Sequence, residues 1–153
     1  MFYFVKTPWL LKKIYPHGIW DMQKTDTPKV YLSFDDGPHP TITPFVLEQL
    51  NLYNAKATFF CIGKNVQEHP TTYKEILSRG HQVGNHTQNH LNGWKTDDQS
   101  YLANIIEASK HIQSNLFRPP YGRISKRQAK LIHTTIPSMK IIMWNILSAD
   151  FDT

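Results

Sequence analysis

This sequence predicts an α/β fold built on a parallel sheet, and three observations carry the prediction. Strand-like and helix-like segments alternate along the 153 residues. The strands are near-continuous apolar runs, as expected of strands covered on both faces. The polar interruptions, Asp35-Asp36, Asn85-His86, Arg118-Pro119 and Asp150, fall where strands end. In parallel α/β architectures that edge is where chemistry collects.

Taken in order, "KVYLSF" reads as the first strand. "TPFVLEQLNLY" reads as a helix with Val46, Leu47 and Leu50 on its apolar face and Thr43 as its cap ahead of Pro44. "ATFFCI" reads as a buried strand, and "PTTYKEILSRG" as a helix closed by Gly80. "HQVGNH" is a short strand entering a loop. "TDDQSYLANIIEASKHIQS" is the longest helix, with a capping box from Thr96 and Gln99 and a core face of Tyr101, Leu102, Ile105, Ile106 and Ile112. "LFRPP" is a short strand, "SKRQAKLIHTT" a helix capped by Ser125, and "MKIIMWNI" a fifth strand.

Composition narrows the function classes. The net charge is +5, and the basic residues are scattered apart from Lys12-Lys13 and Lys126-Arg127. A nucleic-acid footprint needs a denser basic stripe, so no nucleic-acid partner is expected. The single cysteine, Cys61, allows no internal disulfide and sits in an apolar run, so it reads as a core thiol. The N-terminal stretch is apolar but broken by Lys6, Pro8 and Lys12-Lys13. It has neither the layout of a signal peptide nor the length of a membrane span. Residues 1–28 are therefore read as a packing arm and residues 29–153 as one domain. Cytoplasmic and cell-envelope locations both stay open.

The strand ends bring a distinctive set of groups together. Two like charges stand side by side at Asp35 and Asp36, and their repulsion is expected to raise one pKa unless a cation lies beside them. His86 and His90, spaced i, i+4, can meet on one face of a helical turn. Two histidines and one carboxylate make a three-ligand metal site with an open position. One of the two aspartates then binds metal and the other acts as general base toward an activated water. Arg118 is the candidate to hold that base ionised.

With these residues in view, the sequence resembles the polysaccharide deacetylases of carbohydrate esterase family 4, which carry the NodB-homology (chitooligosaccharide deacetylase) domain. "SFDDGP" is similar to the family's first motif, "HTQNH" to its second, H-[ST]-x-x-H, and "RPPYG" to its third, R-x-P-[YF]. The resemblance runs from about Val30 to the end of the chain. It implies a distorted, incomplete (β/α) barrel and a metal-dependent hydrolase that removes acetyl groups from an N-acetylated, or O-acetylated, polysaccharide such as peptidoglycan or a chitin oligomer. It implies Asp35 as catalytic base, Asp36, His86 and His90 as metal ligands, Arg118 as partner of the base and the Tyr121 backbone N–H as oxyanion donor. The implied metal is divalent, with Zn2+ the default and Co2+ or Ni2+ as alternatives.

The sequence departs from the family in two places. In the fourth motif, D-x-x-D-W, "LSADF" has Leu147 for the first Asp, keeps Asp150 as a catalytic candidate and has Phe151 for the Trp. The fifth motif, an apolar strand ending in a general-acid histidine, has no counterpart before Thr153. The barrel is thus expected to lack its C-terminal strand or strands, with a C-terminal remainder or a partner completing it, and the fifth strand is expected to be an open edge. Two alternative functions follow: a non-catalytic homologue binding metal and sugar, or an amidase acting on non-sugar amides. Outside the motifs, His17, His39 and His69 read as structural or surface residues. His81 is expected to lend at most a hydrogen bond near the site. Trp94 fits either sugar stacking or packing, and Trp144 reads as core.

Overall fold

The computed structural model describes residues 5–23 and 25–148. Six parallel strands curl into a half-barrel in the order β1-β6-β5-β4-β3-β2. They are β1 (Gly18–Ile19), β2 (Leu32–Asp35), β3 (Ala57–Cys61), β4 (Gln82–Asn85), β5 (Leu116–Phe117) and β6 (Lys140–Ile142). The helices are α1 (Trp9–Ile14), α2 (Ile42–Leu52), α3 (Gly63–Glu68), α4 (Pro70–Ser78), α5 (Asp98–Ser109) and α6 (Lys126–Thr135). Leu47, Leu50, Phe59, Val66, Ile76 and Val83 anchor one buried cluster. Tyr101, Ile105, Phe117, Ile132 and Ile141 anchor a second under α5 and α6.

The fifth expected strand, β6, is not an open edge. Gly18 and Ile19 pair with Ile141 and Ile142, so the N-terminal arm adds a strand as well as packing. Two residues are too few for an alternation pattern to announce a strand. Gly18 is needed there, because a Cβ would sit 2.9 Å from the Met143 side chain. Among the described residues the edges are β1 and β2. β2 starts at Leu32, later than the "KVYLSF" reading placed it, and Leu32 with the Val30-Tyr31 segment leading into it is apolar and exposed.

Local corrections have equally local causes. Thr43 lies inside α2, where its Oγ1 accepts the His39 N–H at 2.8 Å; Thr41 occupies the cap position without a side-chain bond. Asp97, not Thr96, caps α5 by accepting the Ser100 N–H at 2.9 Å. The Thr96 hydroxyl instead donates to Asn92 O and closes the preceding turn. Ile106 is exposed, on the flank of the α5 core face. Helix α3 was not foreseen, since its six residues carry no full apolar period. The capping box of Ser125 and Gln128 is present at α6. No helix among the described residues is long and apolar enough to cross a membrane.

Candidate active site

The carboxyl ends of β2, β4 and β5 meet at one edge of the half-barrel. Asp35 is the last residue of β2 and points to Arg118, whose Nη1 donates to Asp35 Oδ1 at 2.7 Å and to Ser33 Oγ at 2.7 Å. Ser33 and Asp35 lie two apart on the strand and so share a face. Arg118 is 5% exposed and follows β5 directly. Its Nε donates to Ile142 O at 3.3 Å, its Nη2 to Met143 O at 3.4 Å, and the Phe60 ring lies 4.0 Å below its guanidinium carbon. Burial pulls the guanidinium pKa down, and the Asp35 carboxylate beside it pushes back up.

Asp36 turns the other way because its φ is +67°. A β residue there would face away from Asp35; the left-handed conformation brings its carboxylate to the histidines instead. Asp36 Oδ1 lies 3.4 Å from His86 Nε2 and 3.0 Å from His90 Nε2. The Asn65 side-chain amide donates to Asp36 O at 2.7 Å and holds the turn. The sequence expected repulsion to raise one carboxylate unless a cation lay beside the pair, and Asp36 has two histidines beside it. Hydrogen bonding to His86 and then His90 holds its carboxyl well below the usual carboxylate range, against an opposing effect of burial.

The two histidines do not meet on a helical turn, as their spacing suggested. They belong to a loop in which Thr87 and His90 have φ of +65° and +54°. The side-chain amides of buried Asn85 and half-buried Asn104 brace this loop. Asn85 Oδ1 accepts the Thr87 N–H at 2.8 Å, and Asn104 Oδ1 accepts the N–H groups of Gln88 and Asn89 at 2.9 and 3.0 Å. Thr87 Oγ1 accepts the Leu91 N–H at 3.2 Å. Sequence reasoning did not assign these bracing roles; "GNHT" after a short strand was the only hint.

Four of the five non-glycine residues with positive φ among the described residues, Asp36, Thr87, His90 and Tyr121, lie at this edge. Each costs of order 1–3 kcal/mol, so their clustering marks a place where geometry is held for function.

The donor set suits a cation. His86 Nδ1 lies 2.7 Å from Arg118 O, and a carbonyl only accepts, so Nδ1 carries the proton. The other ring nitrogen, Nε2, then faces a carboxylate oxygen at 3.4 Å. Two acceptors at that range need a positive charge between them, either a proton or a metal ion. Asp36, His86 and His90 place one ligand atom each within 4.8 Å of one another and could hold a metal ion.

The other expected residues fall as follows. Tyr121 has φ +59° in the turn after Pro119, with its ring 4.6 Å from that of His90. Asp150 lies outside the described residues. Cys61 is buried, with its thiol pushed up to about 12 by desolvation and then by the nearby Asp35 charge. His81 is not near the site: it precedes β4 at the opposite end of the sheet, where Nδ1 accepts the Ala57 N–H at 3.3 Å. Trp144 is half-buried and packs where a Cβ on Gly122 would stand 2.7 Å from its ring.

This edge brings together an aspartate paired with a buried arginine and a His-His-Asp cluster that could hold a metal ion. The chain belongs to the polysaccharide deacetylase family, whose model matches residues 22–135. It is 40% identical over 122 residues to a peptidoglycan-N-acetylglucosamine deacetylase of Bacillus cereus, covering 76% of this chain and 57% of the relative. It is 32% identical over 130 residues to a chitooligosaccharide deacetylase of Azorhizobium caulinodans, covering 80% of this chain and 61% of the relative. A crystal structure of a peptidoglycan N-acetylglucosamine deacetylase in complex with 4-naphthalen-1-yl-N-oxidanyl-benzamide superposes with a TM-score of 0.79 at 33% identity, over 90% of this chain and 65% of that one. The chain thus spans about 57% to 61% of the length of these curated relatives.

Proposed function

We propose that the protein hydrolyses acetyl groups from an N-acetylated glycan, with peptidoglycan or a chitin-like oligomer as substrate. The observation that carries this reading is the pairing of Asp35 with buried Arg118 beside the Asp36, His86 and His90 cluster. Membership of the deacetylase family supports it.

Asp36, His86 and His90 would hold a divalent ion, and the mix of imidazole nitrogen and carboxylate oxygen suits Zn2+, with Co2+ or Ni2+ able to replace it. Such an ion supplies Lewis acidity toward an acyl oxygen and lowers the pKa of water. The chain supplies the remainder. The Arg118 guanidinium holds Asp35 Oδ1 at 2.7 Å, so Asp35 is placed to take the proton of the attacking water. The His86 Nδ1–H bond to Arg118 O orients that ring and ties the ligand loop to the arginine of the base. The Tyr121 N–H, which bonds no other described residue, serves as a donor to the oxyanion formed at the acetyl carbon. Collapse of that adduct breaks the C–N bond as the proton that Asp35 took from water passes to the leaving nitrogen, which gives acetic acid, ionised in water to acetate, and a free amine.

Asp35→Asn tests the assignment. Acetate release from an acetylated oligosaccharide should fall by about 10²–10⁴, while bound metal stays stoichiometric. Chelation should abolish turnover in the unsubstituted chain. Full activity in the Asn variant would mean that another group is the base.

The exposed β2 edge supports a further part of this reading. Val30 is 85% exposed, with Tyr31 and Leu32 exposed beside it. An apolar edge is normally covered. A strand from further chain or from a partner would pair with β2 and extend the barrel. Hydrogen exchange checks this: in the assembled enzyme the β2 edge amides should exchange slowly, and fast exchange there would exclude a covering strand.

A further inference from the structure

Beside the His-His-Asp cluster the structure builds a rigid, exposed ledge. Trp94 is 61% exposed and Tyr121 58% exposed. Between them lies Arg123, its guanidinium carbon 5.3 Å from the Trp94 ring and 6.0 Å from the Tyr121 ring. Tyr121 in turn contacts the His90 ring, so the ledge begins at the cluster and leads away from it.

The ledge is held far more firmly than a surface loop needs to be. Gln128 is 2% exposed, and its Nε2 donates to Gly93 O at 2.8 Å and to Thr96 O at 3.0 Å. Its Oε1 accepts the Ser125 N–H at 2.9 Å. One buried amide thus clamps the Trp94 loop to the turn that carries Arg123. Gly93 completes the clamp, since a Cβ there would lie 2.3 Å from Arg123 O. The Trp94 indole N–H donates to Ile124 O at 3.4 Å, which fixes the ring's polar edge and leaves a face to solvent.

Arg123 makes no ion pair with any described residue. Its charge is held in place by two aromatic faces, and its planar fork remains available. Aromatic faces receive the apolar faces of sugar rings, and a guanidinium fork matches a carboxylate.

We infer that Trp94, Arg123 and Tyr121 form a glycan subsite that selects carboxylate-bearing strands, of the kind that contain N-acetylmuramic acid, over neutral glucosamine polymers. The inference rests on the deacetylase reading and deepens it. The relatives divide between peptidoglycan and chitooligosaccharide deacetylases, and a cation beside the glycan path separates those two substrates by charge.

The test is equilibrium binding by the zinc-loaded protein. The probes are a peptide-free tetrasaccharide alternating N-acetylglucosamine and N-acetylmuramic acid, the same glycan with its lactyl carboxylates carrying dipeptides, and neutral chitotetraose. The acidic glycans should bind about three- to tenfold tighter than chitotetraose, with a preference that falls as salt rises. Tighter binding of the peptide-free glycan identifies the lactyl carboxylate as the group read; tighter binding of the dipeptide form identifies the peptide carboxylates. Arg123→Gln should remove the preference and leave chitotetraose affinity unchanged. Trp94→Ala should weaken all probes by about tenfold, and Trp94→Tyr should restore most of that loss. Thermal melting confirms that each variant is folded.

An acidic-to-neutral affinity ratio unchanged by Arg123→Gln overturns the subsite. Acetate release, measured separately, tells the two readings apart. Turnover with an unchanged ratio removes the subsite and keeps the deacetylase. A ratio abolished by Arg123→Gln, in a chain that releases no acetate from any probe, keeps the subsite and removes the deacetylase.

Discussion

Arg118→Met should destabilise the protein by about 3 kcal/mol, and the structure shows where that figure comes from. Arg118 is 5% exposed and the Asp35 side chain 31% exposed. Removing one partner of a fully buried pair costs about 3–5 kcal/mol, because the other charge is left unpaired. Water reaches part of Asp35 and recovers some of its solvation, which moves the expectation to the lower end. Two further acceptors, Ile142 O and Met143 O, lose long bonds of 3.3 and 3.4 Å that add little. Methionine fills most of the space over the Phe60 ring, so the cavity contribution is small. The assay is urea unfolding, read as a fall in midpoint at constant slope. A double-mutant cycle with Asp35→Asn isolates the pair and should give a coupling of about 1.5–3 kcal/mol. Arg118→Lys should recover only part of the loss, since an ammonium cannot serve Asp35, Ser33 and two carbonyls at once. A cost under about 1 kcal/mol for Arg118→Met, or a coupling near zero, would refute the view that this ion pair organises the site.

Three further outcomes are expected. Tyr101 is fully buried, and its hydroxyl has no hydrogen-bond partner among the described residues. Tyr101→Phe should therefore raise stability by about 1 kcal/mol and the Tm by about 2–4 °C, keeping the edge contact with Phe117; a lower Tm would show that the hydroxyl is satisfied. Burial first, then Lys56 and Arg79, hold the pKa of His81 below its ordinary 6.5. The unfolded chain then binds the extra proton, so this contribution is complete above about pH 6.5 and is lost as pH falls through the lowered folded value. The urea midpoint of wild type should thus drop more steeply below that pH than that of His81→Gln; parallel curves would remove His81 as the cause. Gly84→Ala places a Cβ 2.4 Å from the Phe60 ring, which lies beneath Arg118, and should destabilise by about 1–3 kcal/mol in calorimetry; a neutral result would mean that Phe60 moves freely.

Much of the fold was legible because apolar strand runs leave a strong local trace, whether buried as in β3 or exposed as at the start of β2. "ATFFC" and "KVYLSF" are readable from apolar content alone, and Ser125 announces its helix start, to which the structure adds Gln128 as the second half of a capping box. Gly18–Ile19 was not legible, since a two-residue strand acquires its identity only from the neighbour it pairs with. At Thr96-Asp97 two capping residues stand in succession, and local preference does not choose between them. The packing of the Asn92–Thr96 turn makes that choice.

The chemistry divides in the same way. The sequence by itself determined which groups collect at the strand ends: two adjacent carboxylates, two histidines, an arginine and the turn at Tyr121. Residue identity and order need no coordinates. Only the tertiary structure decided their roles relative to one another. Whether Asp36 faces the histidines or solvent depends on a left-handed backbone at one residue, and whether Arg118 reaches Asp35 depends on β5 lying across β4 and β3 from β2. The ledge of Trp94, Arg123 and Tyr121 joins residues about thirty positions apart through buried Gln128, whose place in the α6 capping box says nothing of its reach to Gly93 and Thr96. Such contacts come from the curl of the sheet and the packing of loops above it, and side-chain periodicity carries no information about either.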